Sequence, residues 1–372
     1  MDWHSSLMCL RKIKRRISSY QPDAIVSVHP AMQNVPLLAT QQLSAAAGKH
    51  IPFFTVVTDL GSGHCTWFQK NVDKMYLASG RLLKLAKRRG RTPIENIVMT
   101  GLPIRHDFAL QAEQLGDRTT AAGKEYQKEM RRELGLDPDK PMVMLMGGGE
   151  GVGSLATIVD EMYSSFSKQG LDVTICVVCG RNEKLKKSLE DRDWVAVLQA
   201  EHKPKRRHRI LRFFGRRHQS RKIQESLDRA ASHDGEEMTS RPGNVEVVGL
   251  GFVTRMAEYM VAADLLVSKA GPGTIAEAAA VGLPVMLTNF LPGQEAGNVD
   301  YVIENGFGDF NSDPAVIATE VACWLKDADL MDTMSRAARG VGHPHAAADI
   351  VIDIGSVTHT WKTLNGEGVP AK

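Results

Sequence analysis

Three short loops carry the residue types that hold phosphates and sugar hydroxyls. The first is SKAGPGT, residues 268–274, which follows the apolar run DLLV and opens the helical pattern TIAEAAAV. A strand ending in such a loop delivers the chain to a helix N-terminus, whose free N–H groups and positive dipole end suit a phosphate. Gly271 and Gly273 let the backbone approach a ligand closely, and Pro272 stiffens the turn between them. Thr274 and Glu277 also have the S/T-x-x-E spacing of a capping box, which any helix can use, so this loop alone leaves a purely structural role open. The second loop is the glycine run 147–149 after MVMLM, and the third is PGQEAGN, residues 292–298, after VMLTNF.

Three such loops at strand ends of one sheet suit a nucleotide-sugar. Gly273 and Thr274, with Gly271, Pro272, Gly148 and Gly149, are expected on the pyrophosphate, with Lys269 either offsetting its charge or solvated. Glu277, one turn into the helix, is placed to accept hydrogen bonds from ribose hydroxyls. Gln294, Glu295 and Asn298 carry polar groups that can read a sugar, and Phe252 in LGFV can pack on a base.

Other constellations point to less. Asp137-Pro138-Asp139 lies in a proline turn and Asp191-Arg192-Asp193 at a charged helical end, so neither D-x-D follows a strand and no metal is expected. The Gly-His-Pro-His run at 342–345 is explained by a proline near the start of the last helix. Cys176 and Cys179 form a C-x-x-C inside a β-branched run, which reads as a buried strand. With five cysteines in 372 residues there is no disulfide framework, and without a second C-x-x-C no zinc site.

The elements that must position these loops are legible. AIVSVH (24–29), FFTVVTD (53–59), KMYLA (74–78) and NIVMTG (96–101) read as buried strands, with helices in VPLLATQQLSAAAG and RLLKLAKRRG. A second strand–helix series starts at Pro141, with strands in MVMLM, DVTICVV, VEVVGL, DLLVSK and LPVMLTN. Alternating strands and helices predict parallel sheets covered on both faces, with functional loops at the strands' C-terminal ends. The chain therefore reads as an α/β protein of two Rossmann-like, doubly wound domains with a cleft between them. The expected boundaries are 1–110, a linker 111–140, a nucleotide-sugar-binding domain 141–340 and a C-terminal helix 341–372.

A basic insertion, 202–242, interrupts the second domain with HKPKRRHRILRFFGRRHQSRK. Such charge density disfavours a packed core and predicts an exposed loop. A contact with anionic lipid headgroups is the sharper reading, with Leu211, Phe213 and Phe214 supplying apolar insertion. The net charge of +3 gives no global field for nucleic acid, so no nucleic-acid partner is expected. No apolar run reaches the roughly 18 residues of a membrane span, and no leader is visible at Met1.

SKAGPGTIAEA, GLPVMLTNFLPGQEAGNVDYVIENG and VVGLGFVTRMAEYM resemble the monogalactosyldiacylglycerol synthases of plastids, within family 28 of the glycosyltransferases. YQPDAIVSVHPAMQNVPL, VVTDLGSGHCTWF and VMTGLPIR resemble that family's acceptor-side domain. The resemblance implies a GT-B fold and an inverting transfer of galactose from UDP-galactose to diacylglycerol, with no metal and no further cofactor. It puts Phe252 and Thr254 near uracil, residues 271–274 on phosphate, Glu277 on ribose, and Gln294, Glu295 and Asn298 on the sugar. His29, Pro30, Trp67 and Arg105 fall on the acceptor and lipid side, with Arg105 meeting anionic phospholipid. It implies diacylglycerol and an anionic phospholipid membrane surface as partners, with peripheral attachment to the plastid envelope; a homodimer is a further possible partner.

One departure matters. The family's first strand ends in a Gly-rich loop with a histidine regarded as the general base, and no such element precedes Ala24. The first domain is thus expected to be N-terminally shortened, with Asp59 and His64 as the candidate catalytic groups. The alternatives are a UDP-glucose or UDP-N-acetylglucosamine lipid glycosyltransferase, or a UDP-binding protein inactive for lack of that loop.

Overall fold

A computed structural model describes residues 2–147, 152–199 and 241–366, with side chains described from residue 9 in the first helix and from residue 155 in the helix beginning at Val152. The basic insertion up to residue 240, and with it the expected lipid contact of Leu211, Phe213 and Phe214, lies outside the described residues. The chain divides into two compact units, Met1–Ile104 with His345–Lys372, and Arg105–Pro344.

In the first unit β1 (Ile25–Ser27), β2 (Phe53–Val56), β3 (Lys74–Leu77) and β4 (Ile97–Met99) form a parallel sheet in sequential order. The run FFTV is buried on both faces, which is why it is apolar without alternation. Right-handed crossovers put α2 (Asn34–Ala47) and α3 (Gly80–Arg89) on one face, and α1 (Asp2–Tyr20) packs on α2. The other face is covered by α14 (Ala346–Leu364), whose Ile350, Ile354 and Val357 pack against Phe54, Val56 and Tyr76. Polar bonds fix this docking. Lys74 donates to both Asp353 oxygens at 2.7 and 2.8 Å, and the Tyr76 hydroxyl donates to Asp353 at 2.9 Å. Asn365 brackets the backbone of His50, accepting its N–H at 2.9 Å and donating to its carbonyl at 2.8 Å. The C-terminal helix is therefore part of the first unit.

The second unit holds β5 (Met142–Met146), β6 (Val173–Val178), β7 (Val245–Leu250), β8 (Leu265–Lys269), β9 (Val285–Asn289) and β10 (Gly308–Phe310). All are parallel, in the order β10-β9-β8-β5-β6-β7. The winding reverses between β5 and β8, which makes their carboxyl ends a topological switch point, the place where open α/β sheets hold ligands. Phe166 of α6 (Val152–Lys168) and Trp324 of α12 (Pro314–Lys326) fill the core under this sheet with Val143, Leu145, Val177 and Leu265.

The stretch expected as a linker belongs to the second unit. It forms α4 (His106–Leu115) and α5 (Ala121–Glu133), and its charges are internal. Arg118 is buried and donates to the carbonyls of Met260, Ala263 and Val281, at the C-terminal ends of α9 (Met256–Ala262) and α10 (Pro272–Ala280). Burial lowers its guanidinium to about 10. Arg131 donates to Asp264 at 2.7 Å, and Asp264 accepts the Met142 N–H, so the same ion pair holds the starts of β5 and β8 together. The boundary falls at Ile104/Arg105 rather than after residue 110 because these contacts bind the 105–140 segment to the second sheet.

Candidate functional site

At the switch point, α10 starts at Pro272, with Gly271 as its N-cap and no side chain capping it. The helix thus begins two residues before Thr274, and the capping box allowed by the sequence is not made. Proline at the first helical position takes the place where an N–H is not needed, and the following N–H groups of this turn have no side-chain acceptor at the cap. Gly273 is not in the left-handed region, and among the described residues a Cβ there would meet nothing within 4 Å. At Gly271 a Cβ would meet only the Lys269 chain end at 3.7 Å and Thr274 at 3.9 Å. By contrast, a Cβ on Gly308 would collide with the Val285 carbonyl. Packing explains Gly308, whereas among the described residues no neighbour requires a glycine at 271 or 273. Open space in front of an uncapped helix N-terminus is what an anionic group needs.

Around this turn the sequence-predicted residues divide. Glu277 is nearly buried, and Arg105 donates to both of its oxygens, from Nε at 2.7 Å and from Nη2 at 2.9 Å. Arg105, assigned from the sequence to the acceptor and lipid side with His29, Pro30 and Trp67, is therefore held on the donor-side carboxylate, within the second unit. The bond to Glu277 raises its guanidinium above the usual range. Lys269 donates to Glu295 at 2.8 Å, and the other Glu295 oxygen accepts the Leu291 N–H at 2.8 Å. Asn298 is buried and donates to the Ala270 carbonyl at 2.9 Å. Glu295 and Asn298 thus brace the loop after β8 against the N-terminal end of α11 (Ala296–Asn305), while Gln294 beside them is exposed. Phe252 and Thr254 are exposed in the loop after β7, and the Arg181 guanidinium lies 5.8 Å from the Phe252 ring centre. Gly148 and Gly149 lie outside the described residues.

In the first unit, Asp59, His64 and His29 lie at the carboxyl edge of the sheet. Trp67, expected at the lipid side, is completely buried, and its Nε1 donates to Asp59 at 2.8 Å. Its large ring fills the core, so it holds a carboxylate instead of meeting an acyl chain. Burial pushes the Asp59 carboxyl above its usual range, against the Trp67 and His64 N–H donors and the nearby His64 and His29 rings. Each histidine caps a 3-10 turn. His29 Nδ1 accepts the Ala31 N–H at 3.2 Å, and His64 Nδ1 faces the Thr66 N–H at 3.3 Å and its hydroxyl at 2.8 Å. With Nδ1 accepting, the neutral ring carries its proton on Nε2. That tautomer makes His64 a donor toward solvent, so of the two sequence candidates Asp59 has the free lone pairs and the perturbation of a base.

Sequence reasoning missed Gln33. It is fully buried, donates to Ser27 at 2.8 Å and accepts from Thr55 at 2.8 Å, tying the turn that carries His29 to β1 and β2. A buried amide between strand ends is invisible without the fold.

Cys176 is buried in β6, and burial pushes its thiol up to about 12, which removes redox chemistry at neutral pH. Among the described residues, no three His, Cys, Asp or Glu side chains gather as a metal-sized cluster.

Comparison with known proteins follows this division. Residues 4–104 match the family model described as monogalactosyldiacylglycerol (MGDG) synthase. Residues 195–296 match the glycosyltransferase family 28 C-terminal domain. The chain is 34% identical over 365 residues to monogalactosyldiacylglycerol synthase 1, chloroplastic, of Arabidopsis thaliana, covering 97% of this chain and 56% of that protein. It is 36% identical over 343 residues to a probable monogalactosyldiacylglycerol synthase 2, chloroplastic, of Oryza sativa subsp. indica, covering 91% of this chain and 59% of that protein. The chain thus spans a little over half the length of these relatives. Among solved structures, MurG of Acinetobacter baumannii shares the fold with a TM-score of 0.56 at 16% identity, covering 95% of this chain and 79% of that one. UDP-GlcNAc 2-epimerase from Neisseria meningitidis does so with 0.53 at 11% identity, covering 94% of this chain and 81% of that one. The fold is GT-B, and the chain belongs to the monogalactosyldiacylglycerol synthase family within the family 28 glycosyltransferases.

Proposed function

We propose that this chain transfers galactose from UDP-galactose to diacylglycerol, with inversion at the sugar carbon, giving monogalactosyldiacylglycerol and UDP. The observation that carries the donor half is the uncapped start of α10 at the switch point, with space among the described residues over Gly273. In the transfer, the bond from the sugar carbon to the β-phosphate oxygen breaks and a bond to the acceptor oxygen forms. The charge left on UDP is met by the α10 N–H groups and dipole, so no metal or cofactor is invoked. The acceptor proton passes to a base, and Asp59 is the described residue of the first unit suited to take it. The choice of galactose and diacylglycerol rests on the relatives' names.

The same reading takes the protein to the plastid envelope, attached peripherally. Among the described residues no helix is long and apolar enough to cross a membrane. A contact with an anionic bilayer has support besides the basic insertion. Arg11, Lys12, Arg15 and Arg16 of α1 and Lys87, Arg88 and Arg89 of α3 are exposed, and α2, which packs on α1, carries no charge. Basic side chains near an anionic surface each contribute about 1 kcal/mol.

The test presents UDP-galactose, UDP-glucose and UDP-N-acetylglucosamine separately to the chain with diacylglycerol vesicles and measures released UDP. Release from UDP-galactose alone is expected. Release from another donor moves the assignment to that sugar, and release from none overturns the transferase reading.

A further inference from the structure

Arg105 is the first residue of the second unit, and its backbone caps α4 without a side-chain cap bond. Its guanidinium is fixed from two sides: Phe108 lies 5.0 Å below its central carbon, and Glu277 takes both its Nε and Nη2 protons. The carboxylate is the less exposed partner, at 12% against 52% for Arg105. A forked guanidinium–carboxylate pair fixes the plane of the carboxylate as well as its position. Each Glu277 oxygen accepts one bond from Arg105, which leaves a lone pair on each for a second donor.

Two hydroxyl donors on adjacent carbons are the chemistry that complements two such lone pairs. Glu277 stands in the second turn of the helix whose uncapped start faces open space. We infer that Arg105 is a positioning residue that sets the Glu277 carboxylate to read a ribose vicinal diol, so that the site discriminates ribonucleotides from deoxyribonucleotides. This rests on the donor-site reading above. It goes further by assigning sugar-type specificity to a residue far along the chain from the loop that binds the phosphate.

A plain surface ion pair leaves ligand selectivity untouched, which separates the two roles. Titration calorimetry of the full chain with UDP and with 2′-deoxy-UDP measures the selectivity directly. The wild-type protein is expected to prefer UDP by about ten-fold or more, the equivalent of one lost hydrogen bond to a charged group. Arg105→Ala should collapse that preference to within about three-fold, mainly by weakening UDP, and Glu277→Gln should do the same. Arg105→Lys, which has no fork, should recover only part of it. Equal weakening of both nucleotides by Arg105→Ala would mean that the guanidinium meets phosphate directly, and the inference would be wrong. An unchanged preference would reduce the pair to a surface ion pair and also overturn it. If the wild-type chain binds no UDP, the donor-site reading falls and this inference with it; if it binds UDP and only the preference is insensitive to Arg105, the inference alone falls.

Discussion

Replacing Gly273 by alanine should make the protein more stable and worse at binding UDP. The position is helical, its φ is not in the left-handed region, and an added Cβ meets no atom of the described residues within 4 Å. At such a site a glycine-to-alanine change stabilises by about 0.4–1 kcal/mol, chiefly by restricting the unfolded chain. For a unit of this size that corresponds to a rise of about 1–4 °C in melting temperature. If a diphosphate occupies the space over the turn, the methyl group intrudes on it, and overpacking of that kind costs about 1–3 kcal/mol. That predicts a loss in UDP affinity of about 5- to 150-fold. Thermal unfolding followed by calorimetric titration with UDP measures both quantities on one sample. A loss of stability would show that the open space has been misread. A gain in stability with unchanged UDP affinity would show that no phosphate sits over Gly273, and the anion site would have to move.

Three further outcomes follow from the same structure. Asp59→Asn keeps the shape of the side chain and should keep UDP affinity while lowering transfer about 100-fold or more, the scale of a lost general base; full transfer activity would remove Asp59 from the mechanism. Burial and the neighbouring Asp309 push Glu320 up to about 8, from an ordinary value of 4.5, and its Oε2 has no hydrogen-bond partner among the described residues. Because the folded state holds this proton to higher pH than the unfolded chain does, stability should fall as pH rises from about 4.5 to 8, by roughly 3 kcal/mol at pH 7. Denaturant unfolding of Glu320→Gln should therefore show a flatter pH profile and higher stability at pH 8, and an unaltered profile would sink this account of Glu320. Reversing Lys87, Arg88 and Arg89 to glutamate should weaken sedimentation with vesicles containing anionic phospholipid, and raised salt should weaken wild-type binding in the same way. Binding insensitive to both would remove α3 from any membrane contact.

Much of the fold is written locally. β2, β5 and β6 are almost wholly apolar runs because helices cover both faces of their sheets, and such runs stand out in a sequence. β10 does not, because Gly308-Asp309-Phe310 is too short and mixed to show a period. The 111–140 segment reads as a linker because Arg118 and Arg131 look like surface charge. Only the folded chain brings the carbonyls of α9 and α10 to them. Thr274 and Glu277 suggested a capping box, but Pro272 suits the first helical position and started the helix early. At the site, the loops were legible from their glycines and strand-end positions, and the partners were not. Arg105 and Glu277 are separated by 172 residues, and no local pattern joins them. Trp67 shows the opposite limit: an aromatic beside a histidine in a loop suggests a ligand surface, whereas here its bulk fills the core and only its N–H reaches the site.

The proposed galactolipid synthesis depends on a donor site built on α10. The most direct measurement is mass spectrometry of lipids extracted after incubating the full chain with UDP-galactose and diacylglycerol in anionic vesicles, beside the Glu277→Ala protein. A new lipid heavier than diacylglycerol by one hexosyl unit, a hexose less water, formed by the wild-type chain and absent with Glu277→Ala, is the predicted result. No such lipid from a wild-type chain that binds UDP, or equal product from the Glu277→Ala protein, would contradict it.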